Sequence, residues 1–164
     1  MGERSSRSAL RAGWLQDSSK PLLVSACLLG VACTHLGRAS TSEAVLALGP
    51  GRRLIPVCPE SVGGLPTPRP AAEIQPDGTV RTATGADVTP AYTRGARHAV
   101  ALAQATGVEA AILKARSPSC GCHEIYDGTF TRTRIQGEGL TAHALRAAGI
   151  PIHSEEDIAP PEPG

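Results

Sequence analysis

The chain has 164 residues, enough for one domain with a single sizeable core. Sixteen basic and fifteen acidic residues leave a formal charge of +1, which excludes a polyanion-binding field. One Trp, one Phe and two Tyr exclude an aromatic platform for single-stranded nucleic acid and leave the core to Ala, Val, Leu and Ile.

The first twenty residues, opening MGERSSRSALRAGW, contain no continuous apolar run and do not read as a secretory leader. An N-terminal extension without fixed structure is expected over residues 1–20. No segment approaches the roughly 20 apolar residues of a membrane span, so a cytoplasmic protein is expected. Five cysteines in that compartment point to metal, cluster or redox chemistry rather than a disulfide framework.

LLVSACL (22–28) then reads as a buried strand. STSEAVLALGPG predicts a helix with a capping box, in which Ser40 and Glu43 satisfy each other's backbone N–H and Gly49-Pro50 stops the chain. RLIPVC (53–58) is a second strand. GGLPTPRP (63–70), with two glycines and three prolines, reads as a stiff irregular wall. Thr89 is an expected N-cap with Pro90 at the first helical position; Ala96, Val100 and Ala103 form an apolar stripe and Gly107 ends that helix. AAILKA (110–115) is a third strand, and YDGT (126–129) is a turn signal. GLTAHALRAAG (139–149) is a helix closed by Gly149, and IPIH (150–153) a fourth strand. Alternation of strands and helices predicts a single-domain α/β fold over residues 21–157: an open, mostly parallel sheet flanked by helices, Rossmann-like in its three layers, with a flexible tail over 158–164.

Cys27, Cys58 and Cys120 stand at or just beyond the ends of the first three strands. Loops at the carboxyl ends of parallel strands share one edge, where ligands bind, so the three thiols converge there. The plainer reading is that they are small hydrophobes filling strand ends. Their spacing offers no C-x2-C zinc knuckle, no ferredoxin run and no thioredoxin C-x-x-C. An iron–sulfur cluster on three separated cysteines stays open, and it leaves one iron without a protein ligand. His35, His98, His123, His143 and His153 share no metal-like spacing and read as surface residues, with His123 nearest the expected site.

VSACLLGVAC (24–33), VCPESVGGLPTPRPAAEI (57–74), GADVT (85–89), AILKARSPSCG (111–121) and IYDGTF (125–130) occur in an order and spacing that resembles the small bacterial thiouracil desulfidase family. The resemblance runs over residues 22–155. It implies a [4Fe–4S] cluster held by Cys27, Cys58 and Cys120 with the fourth iron free for the sulfur of a thiolated uracil. It implies a hydrolytic reaction in which water attacks the ring carbon, giving uracil and hydrogen sulfide without electron transfer. Glu60 of the CPE motif is then the base for that water, against a plain capping role. Ser117 is a hydroxyl that bonds substrate or relays a proton, or else an ordinary turn residue. Two further roles follow from position: Ser119 pointing its hydroxyl at a cluster sulfur, and Arg69 either pairing with Glu73 or orienting a substrate oxygen. Lys114 reads as a solvated or paired group.

The chain departs from the family pattern twice. Cys122 has no counterpart in it, and is either a spare thiol or an occupant of the fourth iron. After Cys33, where relatives carry Arg-Tyr and a nearby Gly, this chain reads CTHLGR; Cys33 itself belongs to the motif, as a support for the cluster rather than a ligand. The alternatives are a non-catalytic iron–sulfur sensor with Cys33 or Cys122 as fourth ligand, a thiol redox protein using Cys120 and Cys122, and a desulfidase acting on a thiolated nucleoside or transfer RNA. The near-neutral charge favours a small thiolated pyrimidine over nucleic acid as partner, with the chain a monomer or homodimer.

Overall fold

The computed structural model describes residue 17 and residues 19–160. Strand β1 (Leu22–Ser25) runs into a 3-10 turn (Ala26–Leu29); α1 (Glu43–Leu46) and a second 3-10 turn (Gly49–Gly51) lead to β2 (Leu54–Val57), which passes into α2 (Pro59–Val62). A hairpin of β3 (Ala72–Ile74) and β4 (Val80–Thr82) precedes the long α3 (Thr89–Thr106) and β5 (Ala110–Leu113). A second hairpin, β6 (Glu124–Tyr126) and β7 (Arg134–Gln136), is followed by α4 (Leu140–Ala147), β8 (Ile152–Ser154) and a last 3-10 turn (Glu155–Asp157).

Four strands pair in the order β2-β1-β5-β8, all parallel. Leu22 sits opposite Leu54 on one side and Ala110 on the other, so β1 lies at the centre and the chain switches sides between β2 and β5. The crevice beyond the carboxyl ends of β1 and β5 is where such a sheet binds ligands. The expected α/β class and parallel sheet are what the chain forms; the two antiparallel hairpins are additions to it.

Side-chain alternation along the strands divides the core into two layers. Leu22, Val24, Ala110 and Ile112 face one way, onto Val45 of α1, Leu28 and Ile158. Leu23, Ala111 and Leu113 face the other way, onto Ala99 and Ala103 of α3 and Ala142 and Leu145 of α4. Each fully buried Leu or Ile contributes about 1.5–3 kcal/mol, and the aliphatic composition is what closes this core. Small residues let the helices approach closely. A side chain at Gly95 would stand 2.0 Å from the Pro59 carbonyl oxygen, and one at Gly63 2.1 Å from that of Ala91. These glycines bring α2 against α3 backbone to backbone.

Several boundaries differ from the expectation. The first strand stops at Ser25, because Gly30 and Val31 donate to the carbonyls of Cys27 and Ala26 and close a 3-10 turn instead. The cap of α1 is Ser42, whose hydroxyl accepts from Val45 N, not Ser40; Ser40 N is tied to Cys27 O at 2.9 Å. That helix is four residues long. Thr89 is the first residue of α3 rather than its cap: its hydroxyl accepts from Val80 N at 2.8 Å and pins the helix to β4, while Asp87 accepts from Thr89 N. Ile158 is buried against the β1 layer, one residue past the expected domain boundary. Residues 1–16, 18 and 161–164, on which most of the terminal expectations fall, lie outside the described residues. Among the described residues, no helix is long and apolar enough to cross a membrane.

Candidate active site

Cys27 lies in the turn after β1, Cys58 caps α2 directly after β2, and Cys120 lies in the turn after β5. All three line one cavity of about 680 Å³ at the carboxyl edge of the sheet. Cys58 acts electrostatically on both Cys27 and Cys120, and Cys27 acts on Cys120. All five cysteines are free thiols. Ser61 Oγ donates to Cys58 Sγ at 3.2 Å, and the Ser25 hydroxyl bonds the Cys120 thiol. Cys33 sits beside Cys58, which donates to the Cys33 carbonyl at 3.7 Å. Burial pushes the Cys27 thiol up to about 11 and those of Cys33 and Cys120 up to about 12, and the neighbouring thiols add to the shift. Lys114 opposes it at Cys27. Cys27, Cys33 and Cys120 therefore stay protonated near neutrality.

Glu60, in the first turn of α2, projects into the same cavity and is held at both oxygens. Tyr92 of α3 donates to Oε1 at 2.7 Å. Arg69 donates to Oε2 through Nε at 2.9 Å and through Nη2 as well. The close approach at Gly63 and Gly95 is what brings Glu60 within reach of Tyr92. Burial first, and then the Glu60 charge, raises the Tyr92 hydroxyl far above the ordinary phenol range, so it serves as a donor only. All five N–H groups of Arg69 are committed: the remaining ones go to Cys33 O at 2.8 Å, Pro66 O at 3.2 Å and Thr67 Oγ1 at 3.0 Å. The pairing of Arg69 with Glu73 is therefore not formed, and no donor is left for a substrate oxygen. Glu73 instead accepts from Gly128 N and Phe130 N, fastening the β6–β7 loop to β3.

The SPSCG turn is held by its own first serine. Ser117 Oγ accepts from Ser119 N at 3.1 Å and Cys120 N at 3.0 Å. The turn also caps α4. Carbonyls of Pro118, Ser119 and Gly121 accept from Leu140 N, Thr141 N and Gly139 N, satisfying donors that a helix N-terminus otherwise leaves open. A side chain at Gly139 would lie 2.3 Å from Ser119 O, so only glycine permits this contact. The Ser119 hydroxyl is buried against Thr141 Oγ1 at 2.9 Å. It anchors the turn to α4 rather than bonding a sulfur.

Residues to which the sequence reading gives no role in the site complete the cavity. Tyr126 and Phe130 of the second hairpin offer aromatic faces, and Thr34, His35 and Leu36 of the altered loop after Cys33 line it as well. Arg116, Phe130 and Arg132 hold φ of 65°, 59° and 62°, a left-handed conformation uncommon for such residues, and all three border the cavity. Tyr92 and Ser25 were missed because they sit inside a helix and a strand whose patterns already explained them. The signal for Tyr92 was its being one of only two tyrosines, buried in the first turn of α3. Lys114 pairs with Glu155 at 3.1 Å. Cys122 does not line this cavity; burial first, and then Asp157 and Glu155, push its thiol up to about 12 on the other side of the turn. His123 is exposed and lies with Cys122, not with the three strand-end thiols.

Comparison with known proteins places the chain among relatives. The model of the 2-thiouracil desulfurase family matches residues 22–157. A protein of Bacillus subtilis (strain 168), "Uncharacterized protein YbbK", is 40% identical over 146 residues, or 84% of this chain and 97% of that one. The solved structure of a "[4Fe-4S]-dependent thiouracil desulfidase TudS" is 45% identical, has a TM-score of 0.79, and covers 84% of this chain and 91% of its own.

Proposed function

As the chain belongs to the 2-thiouracil desulfurase family, we propose that it hydrolyses a thiolated uracil to uracil and hydrogen sulfide, using a [4Fe–4S] cluster bound by Cys27, Cys58 and Cys120. The observation that carries this reading is the meeting of three thiols from three strand ends at one cavity, beside a carboxylate held at both oxygens. The donor set suits the group: three soft thiols, none in a disulfide, with cavity beyond them. The similarity to a [4Fe–4S]-dependent thiouracil desulfidase supports the same cofactor here. When bound, such a cluster supplies a soft Lewis-acid iron free of protein ligands, suited to the sulfur of a thiocarbonyl.

The rest is done by the chain's own groups. Glu60 takes the proton of the attacking water; Tyr92 and Arg69 fix its carboxylate before substrate arrives, so no reorganisation is needed during the reaction. Ser117 accepts two backbone N–H bonds, which uses its acceptor capacity and leaves its hydroxyl hydrogen to donate to a ring oxygen. Tyr126 and Phe130 provide flat faces for the pyrimidine. The cytoplasm, where thiols stay reduced, suits such a site. A free base or small nucleoside is the fitting substrate, since a formal charge of +1 offers little to a polyphosphate backbone.

Cys33 favours one rival, because its thiol lies beside Cys58. As a fourth ligand it would close the cluster and leave a sensor. The two separate in one experiment on cluster-loaded variants assayed with 2- and 4-thiouracil. The desulfidase reading expects Cys33→Ala to keep its iron and its turnover, and Glu60→Gln to keep its iron and lose turnover. Iron lost from Cys33→Ala, with no turnover in the parent chain, would establish the sensor instead.

A further inference from the structure

We propose that Cys122, His123 and Asp157 form a second metal site, distinct from the cavity of the strand-end thiols and suited to one divalent transition ion such as zinc. The thiol sulfur, an imidazole nitrogen and a carboxylate oxygen of these residues all lie within 4.8 Å of one another. His123 Nε2 and Asp157 Oδ2 are 2.7 Å apart. The donors come from two segments distant in sequence: the turn just after Cys120, and the 3-10 turn that follows β8.

Sulfur, nitrogen and oxygen donors together make a borderline-soft set, of the kind zinc takes with one remaining position for solvent. At zinc bond lengths of about 2.0–2.3 Å, tetrahedral donors stand roughly 3.3–3.7 Å apart. The histidine and aspartate would open by about half an ångström, and the thiol would close by up to about an ångström. Both movements are small for side chains. Asp157 is braced for the role, since its Oδ2 also accepts from Ser154 N at 2.8 Å. The His123 side chain is 60% exposed, which leaves it room to turn.

The electrostatics favour a cation. Asp157, Glu155 and Glu138 all act on the Cys122 sulfur. Three ion pairs temper that field: Lys114 with Glu155, Arg116 with Glu156, and Arg146 with Glu138. The Cys122 side chain lines a depression with Arg116, His123, Glu138 and Ser154, and shares only the wall at Ala115 and Arg116 with the larger cavity. A bound ion would expel the thiol proton and tie the turn that carries Cys120 to the C-terminal end of β8 from behind. Cys122 also packs against the core layer that holds Leu113 and Leu145, which fixes the position of its sulfur.

The test uses the full-length chain with its iron–sulfur cluster assembled. Zinc is titrated against a chromophoric chelator, and bound zinc and iron are both counted. The proposal expects one zinc per chain, with affinity falling about tenfold or more in each of Cys122→Ser and His123→Ala while iron content is unchanged. His123→Gln, at a side chain that is 60% exposed, repeats the test with a polar replacement of similar size. No stoichiometric zinc, or zinc that persists undiminished in Cys122→Ser and His123→Ala, would overturn it.

Discussion

Arg69→Met removes a buried guanidinium with five committed N–H groups while nearly keeping its apolar stem. Arg69 is 8% exposed as a residue, and its side chain and that of Glu60 are only 4% and 13% exposed. The substitution leaves Glu60 with Tyr92 as its remaining partner and strips a donor from the Cys33 carbonyl. Deleting one member of a buried ion pair costs about 3–5 kcal/mol. For a chain of this size each kcal/mol moves the midpoint by about 2–4 °C, so Tm should fall by about 6–20 °C. The assay is thermal unfolding followed by circular dichroism on the cluster-loaded chain, with iron counted before heating so that cluster loss is seen separately. A double-mutant cycle isolates the pair: Arg69→Met with Glu60→Gln should lose less than the sum of the two, with a coupling of about 1 kcal/mol or more. A fall of less than about 2 °C, or single losses that add, would refute the claim that Arg69 holds Glu60 in place.

Tyr92→Phe keeps the ring and deletes one hydrogen bond to a carboxylate, an interaction of about 1.5–3 kcal/mol. The fold should survive with iron content unchanged, while turnover falls on the order of tenfold or more; unchanged kcat would remove Tyr92 from the site. Gly139→Ala places a methyl group 2.3 Å from Ser119 O and must push the SPSCG turn off α4. Lower Tm and faster loss of iron are expected together, and normal retention of iron would contradict the role given to that contact. Metal-free chain should lose stability in alkali. Burial raises Cys27 to about 11 and Cys33, Cys120 and Cys122 to about 12 from an ordinary 9.0, so the unfolded chain releases these protons first. Their contribution is complete below about pH 9 and disappears as pH climbs through about 11–12, so Tm should fall across that window and not below it.

Much of this was legible in the sequence. Runs such as LLVSACL and AAILKA are continuous and apolar because parallel strands are covered on both faces, and the edge shared by the thiols at or beyond their ends follows from strand direction. Short-range chemistry was less legible. Ser40 and Ser42 are both followed by suitable partners, and only the bond from Ser40 N to Cys27 O decides which one caps α1. Thr89 looked like a cap until β4 offered Val80 N, a strand that three residues with no strong pattern could not announce. The partner of Arg69 turned on distance across the fold: Glu73 is closer in sequence, but Glu60 is the one delivered by α2. Tyr92 and Gly95 belong to a helix whose stripe explains them without any reference to Glu60. Their relation to Glu60 comes from the backbone contact between α2 and α3, which no local pattern encodes.

The central claim is a three-thiol cluster with one iron open to substrate sulfur. Its most direct test is iron and acid-labile sulfide per chain after anaerobic purification, together with conversion of thiouracil to uracil followed by absorbance. The same measurements are made on Cys27→Ala, Cys58→Ala, Cys120→Ala and Cys122→Ala. About four irons per chain with turnover is expected in the parent chain and in Cys122→Ala, with both lost in the other three. Iron and turnover that survive any one of those three substitutions, or a chain that assembles no cluster at all, would contradict the account.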